Sequence, residues 1–301
     1  MSEFTHGDHV LGAISALTSA LMWAIAAILF SQLGKQLNAK ALNLGKGIIA
    51  LVCLSIVLLP TGFSEFQINS FFFLALSGLL GIAIGDTLYF LTLQRLGAKL
   101  TLLVGTLIPV VTGISAIILF SETPSILSVS GLIVTVFGVS YVLWQKVEEK
   151  KVNKVWLSGL FIAFFYIMTE SGGILLTKMG LDNYTSLEAT FIRQAWGIAG
   201  LFFWGLVVGN LISDFKPLRH NPKLLGLFAV TSFIGAFLGT WFSILALELT
   251  FASVAVALNS TSPLFVLPIA YWFLKEKLTP RSVYGAIIAV FGVILYFTGL
   301  G

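Results

Sequence analysis

The chain has 301 residues, 57% of them hydrophobic and only 10% charged, with a net charge of +4. A soluble domain carries roughly a quarter charged residues, so this chain cannot cover its own surface in water and is built for lipid. Its small basic excess is that of loop charges that set topology, and with no basic patch among exposed aromatics a nucleic-acid partner is excluded.

Residues 1–9 are polar and lack a basic leader, and the apolar run behind them reaches Gly34-Lys35 without a small-residue cleavage site. The first span is therefore expected to be retained, with His6 and His9 in a solvated tail. Runs of roughly 20 apolar residues match the bilayer core, and they recur near 10–32, 42–60, 70–92, 98–120 and 125–145. After a charged linker at 146–154 come runs near 155–177, 186–210, 224–247, 253–274 and 281–299. The ten-residue alternation of a β-barrel is missing. Without water to satisfy the backbone, a helix bundle remains: an all-α membrane protein of ten transmembrane helices. The single cysteine, Cys53, falls inside the second run, excludes an internal disulfide and reads as packing.

The chain repeats itself. A shift of 154 lays residues 81–142 on 235–296 without a gap. Gly81, Gly85, Pro109, Glu122, Gly131 and Phe137-Gly138-Val139 then fall on Gly235, Gly239, Pro263, Glu276, Gly285 and Phe291-Gly292-Val293. Earlier, Met22 to Gly34 matches Met168 to Gly180 at a shift of 146, and Lys46 and Arg193 fall near one another. Two units follow, 1–150 and 151–301, each with five helices. Five is odd, so the second unit enters the membrane from the opposite side. The repeats are then inverted about a pseudo-two-fold axis in the membrane plane, the architecture of many secondary transporters, with a site near the midplane between the halves.

These residues resemble the drug/metabolite transporter superfamily, in its EamA-like ten-helix branch. Pro109 and Pro263 stand in spans four and nine, each followed by a Glu at a helix end (Glu122, Glu276) and then by Gly-x₅-Phe-Gly-Val (Gly131 to Val139, Gly285 to Val293). Trp23 and a basic residue in the second span of each half, Lys46 and Arg193, also fit. Lys46 stands where arginine is usual, and Glu170 is unusual. The resemblance implies a carrier of amino acids, related metabolites or drugs, often an exporter driven by an ion gradient. It also implies residence in a bacterial inner membrane.

An ionisable group at the centre of a span costs about 2.5–3.5 kcal/mol on insertion scales, so such groups are the first candidates for a site. Glu170 lies near the middle of span six: a protonatable coupling group, a partner for a substrate ammonium, or a carboxyl satisfied by its neighbours. Asp86 lies in span three, with Tyr89 one turn on. It has Thr240 as its repeat counterpart, and is either a specific ligand or one side of an ion pair with Lys46 or Arg193. Those two bases pin helices or receive a substrate carboxylate. Trp23, Tyr89 and Trp241 are candidates for an aromatic cavity wall, or for plain packing. Asn259 and Ser260 precede Pro263 in a run of four polar side chains, with Thr106 and Pro109 matching in the other half. Proline leaves a backbone carbonyl unpaired, and a polar run at that depth has to meet protein or water. Glu122 and Glu276 read as partners for Lys275, Lys277 or Arg281. Gly78, Gly81 and Gly85, with Gly235 and Gly239, have the spacing of close helix approach.

No metal-ligand spacing, nucleotide motif or catalytic constellation is present, so neither a cofactor nor an enzyme activity is expected. The partners expected are a small-molecule substrate, the lipid bilayer and, as a candidate coupling ion, the proton. A channel needs a continuous polar stripe or carbonyl filter, and here the polar groups are clustered; an assembly factor is the other alternative. Nearly all Lys and Arg fall on the side opposite the termini, which places the termini outside the cytoplasm, whereas the resemblance implies termini inside.

Overall fold

The computed structural model describes residues 6–60, 62–120, 125–148, 153–209, 213–249, 258–275 and 278–298. All secondary structure among them is helical. In chain order the helices are α1 (His6–Leu33), α2 (Ala39–Leu58), α3 (Ile68–Ser77), α4 (Asp86–Gly105), α5 (Ile108–Phe120), α6 (Ile126–Glu148) and α7 (Lys154–Gly180). Then follow α8 (Ser186–Val208), the short α9 (Lys216–His220), α10 (Pro222–Ser232), α11 (Thr240–Leu249), α12 (Ser262–Leu274) and α13 (Pro280–Thr298). Among the described residues, six helical stretches are long and apolar enough to cross a membrane: His9–Leu33, Ala39–Leu58, Ile68–Gly105, Ile126–Trp144, Lys154–Gly180 and Pro222–Ala246. Ser262–Leu274 and Pro280–Tyr296 are apolar but shorter. Glu122, Glu276 and Lys277 lie outside the described residues.

Two long helices are not plain α-helix. Between α3 and α4 the chain is π-helical over Gly78–Gly85, and between α10 and α11 over Phe233–Gly239. Under the shift of 154, residues 79–85 of the first segment fall on the whole of the second. Span three ends where Gly97 takes φ +78°, inside α4. Span four, read from the sequence near 98–120, is broken at Thr106. Thr106 and Leu107 form a turn in which their N–H groups reach the carbonyls of Leu103 and Val104 at 3.1 and 3.0 Å. The cause is Pro109, which has no N–H to give and crowds the carbonyl four residues back. Ahead of Pro263 the same break recurs: Thr261 N–H bonds Leu258 O at 3.1 Å. The Thr106 and Thr261 hydroxyls close these turns onto Leu103 O and Leu258 O.

Packing relies on small residues, as it must where lipid is as apolar as leucine. The most extensive helix pair is α6 with α13. A Cβ on Gly131 would stand 2.6 Å from Gly292 O, and one on Gly292 would stand 2.7 Å from Gly131 O. Gly138 and Gly285 face each other in the same way, at 2.8 and 2.9 Å. Early residues of one helix thus oppose late residues of the other, so the two run antiparallel. Thr135 sends its hydroxyl toward Ala289 O at 3.4 Å, and Ala289 is its own counterpart under the shift of 154. Elsewhere, α7 lies along α3, the first π segment and α4, while α1 lies along α10, the second π segment and α11. Each half's first helix therefore packs on the other half's third span. Outward-facing Phe161, Phe203, Val207 and Trp272 are well exposed, as residues meeting lipid tails are.

Candidate functional site

The first π segment builds the site. Its last turn is skewed: Asp86 N–H reaches back to Gly81 O, and the Ile82 carbonyl is taken instead by Asn43 Nδ2 of α2 at 2.7 Å. Asn43 also donates to Thr87 Oγ1 at 3.0 Å and is fully buried. One turn further along α2, Lys46 Nζ reaches Asp86 Oδ2 at 2.7 Å. The side chains of Lys46 and Asp86 are 13% and 22% exposed, so the pair is not fully sealed by the helices around it. Lys46 Nζ also stands 5.3 Å over the Phe90 ring, a cation–π contact.

The segment's glycines admit the other two charges. A Cβ on Gly85 would lie 2.9 Å from Glu170 Oε1 and 3.3 Å from Thr169 Oγ1. On Gly81 it would lie 3.5 Å from Arg193 Nη2 and 4.0 Å from Glu170 Oε2. At Gly78 it would strike the Arg193 backbone carbonyl. The two carboxylates and two cations thus gather on one stretch of span three, from α7, α8 and α2. Lys46 and Asp86 pair. Glu170 and Arg193 are half-buried and each within reach of Gly81, without forming an ion pair with each other. Arg193 Nε is buried with no hydrogen-bond partner. Tyr89 and Tyr166 roof the cluster with ring centroids 5.5 Å apart.

Of the two bases named for Asp86, Lys46 forms the ion pair, and Arg193 stands by Gly81 and Glu170. Thr106 is buried and its hydroxyl is spent on its own turn, so it shapes the break and offers no free donor. Asn259 Nδ2 bonds Ser243 Oγ at 2.8 Å and its Oδ1 is buried without a partner. Ser260 stands half-buried at the second break. Trp23 lies against Gly239, 2.8 Å from where its Cβ would be. Trp241 packs at a tilt on Phe237 and stacks on Phe242. Trp23, Trp241 and, through Ser243, Asn259 thus gather at the second π segment and the start of α11, where Thr240 stands in the place that Asp86 has in the first half. Tyr166, Asn43 and Ser243 were not singled out from sequence. Tyr166 carries a readable signal, since it precedes Glu170 by four residues and shares its helix face.

Breaking one side of a buried ion pair costs about 3–5 kcal/mol, and partial exposure here puts Asp86→Asn at or below the low end. The thermal midpoint of the detergent-solubilised variant should fall, and Lys46→Met with Asp86→Leu together should recover most of it. An unmoved midpoint for Asp86→Asn would mean the pair does not support the fold.

The EamA-like transporter family model matches this chain twice, over residues 10–144 and 157–298. An uncharacterized transporter of Archaeoglobus fulgidus is 23% identical over 293 residues, covering 95% of this chain and 98% of the relative. Another, from Clostridium kluyveri, is 25% identical over 146 residues, 48% of this chain and 45% of the relative. A crystal structure of a protein at 14% identity superposes with a TM-score of 0.67 over 94% of this chain and 95% of that one, and so shares the fold.

Proposed function

We propose, for a chain that belongs to the EamA-like transporter family and is a multi-pass integral membrane protein, a secondary active carrier of a small polar metabolite. It works by alternating access between two inverted five-span repeats, units 1–150 and 151–301, with ten spans in all. What supports the inversion is the α6–α13 crossing. The Gly131–Gly292 and Gly138–Gly285 contacts exchange with each other under the shift of 154 on antiparallel helices, as a two-fold axis lying across the helices requires. The substrate is an amino acid or related compound, exported across a bacterial inner membrane with protons as the coupling ion.

The observation that carries this reading is the four-charge cluster on the first π segment, with Glu170 close to Arg193 yet not ion-paired to it. Groups this costly in a membrane are retained for ions or substrates, and a carboxyl left without an ion-pair partner is free to take a proton. Purified protein in liposomes should show saturable flux of an amino acid, stimulated by substrate on the far side. A thermal-shift screen against metabolites selects the one to test. Flux that never saturates, or conductance at channel rates, would overturn the carrier reading.

A further inference from the structure

The two ends of the bundle carry matched contacts between the halves. At one end, the buried Glu188 carboxylate accepts from Thr185 N at 2.7 Å, Thr185 Oγ1 at 2.8 Å, Ser64 Oγ at 2.9 Å and Ser64 N. Thr185 is the N-cap of α8, and Ser64 lies in the loop after α2. At the other end, Asp214 Oδ1 accepts from Asn38 Nδ2 at 2.8 Å, and Asp214 Oδ2 pairs with Lys40 Nζ at 2.8 Å. Lys40 also donates to Gly209 O at 3.1 Å. Asn38 is the N-cap of α2, and Asp214 lies in the connection after α8. The start of each half's second helix is thus tied to the loop that follows the other half's second helix.

These helices cross between their ends. A Cβ on Gly47 would stand 2.8 Å from Gln194 Nε2 and 3.0 Å from Ile198 Cγ1. Asn38 to Gly47 and Thr185 to Gln194 are both nine residues, equal arms of about 14 Å at a helical rise of roughly 1.5 Å per residue. The crossing is flanked by Lys46 and Arg193, the two cations of the charge cluster. Rocking α2 against α8 about this point strains one tie as it relaxes the other, and moves both cations.

We propose that the Glu188 and Asp214 contacts are opposed latches of a two-ended gate, each released in one of the carrier's two open states and both made in the conformation described here. This rests on the alternating-access reading. The latches differ in chemistry: Glu188 is held by neutral donors, whereas Asp214 is held largely by a lysine. Screening length falls from about 30 Å at 0.01 M salt to about 3 Å at 1 M and acts more weakly on partly buried pairs; with Lys40 and Asp214 18% and 13% exposed, salt should loosen the Asp214 end in part and leave the Glu188 end closed.

The test is pulsed electron spin resonance on nanodisc-embedded protein, in a Cys53→Ser background, with one label pair per end. Glu65→Cys with Lys178→Cys reports the Glu188 end, and Gln36→Cys with His220→Cys the Asp214 end. Glu188→Gln should raise the open population at its own end about tenfold, the factor of one charge-assisted hydrogen bond, and leave the other end closed. Asp214→Asn should do the reverse, and 1 M salt on the unmutated labelled protein should do so in part. Exchanging the pair as Lys40→Asp with Asp214→Lys should restore closure. Both ends opening together, or neither opening under salt or substitution, would overturn the latches. Distances are read without flux, so a labelled protein that splits as stated but carries no substrate would sink the carrier and spare the latches.

Discussion

Glu170→Gln will reduce proton-driven flux to that of empty liposomes while leaving substrate exchange at equal pH measurable. The argument is geometric. Glu170 stands where Gly85 and Gly81 leave room for its two oxygens, with Arg193 on one side and the Lys46–Asp86 pair beyond. Glutamine fills the same space and keeps the hydrogen-bonding shape, but cannot gain or lose a proton. If the carboxyl carries the coupling ion, only the coupled mode is lost. If Glu170 binds substrate directly, exchange falls with it. Unchanged proton-driven flux would remove Glu170 from the mechanism. Gly85→Ala provides a companion measurement, because its Cβ would crowd the Glu170 carboxylate without altering its chemistry.

The second large effect is on stability. Gly292→Val should lower the thermal midpoint more than any conservative change elsewhere, at the upper end of the roughly 1–3 kcal/mol typical of overpacking or beyond it. The contacted atoms explain the size: Gly131 O at 2.7 Å, together with the backbone and hydroxyl of Thr135. Backbone cannot rotate aside as a side chain can, so α6 and α13 have to separate along their length. Gly226 supplies the contrast. It is exposed on α10 with nothing within 4 Å of a Cβ, and Gly226→Ala should leave the midpoint unchanged or raise it slightly, since alanine is the better helix former. Equal losses for the two variants would mean that the crossing is not what holds these helices together.

Gly78, Gly81, Gly85, Gly235 and Gly239 were legible as close-approach positions because membrane packing selects small residues at fixed spacing, whereas Gly131, Gly138, Gly285 and Gly292 stood out only as partners under the shift of 154. Lys46, Asp86, Glu170 and Arg193 were legible for a simpler reason: charge is costly in lipid, so every mid-span charge announces itself. Which of them pair was not legible. Lys46 and Arg193 both stand on second spans, and only the skewed π turn that presents Asp86 toward α2 decides between them. Asn43 escaped notice because a lone asparagine in an apolar run looks like any other, and its partner, the Ile82 carbonyl, exists only because the helix there is not α. The broken spans were half legible. Pro109 and Pro263 marked the place, but not that Thr106 and Thr261 would cap the breaks.

The π segments at Gly78–Gly85 and Phe233–Gly239 have one more consequence. Each level of π-helix holds more residues than an α-helix needs, so each third span carries slack. Passing that surplus one position along the chain would tighten the turn behind it, turning the residues it crosses by about 100° and shifting them by roughly 1.5 Å along the axis. Asp86 sits at the seam where the slack ends. A movement of that size, made one hydrogen bond at a time, is enough to swing its carboxylate from Lys46 toward a different neighbour without unwinding the helix that carries it.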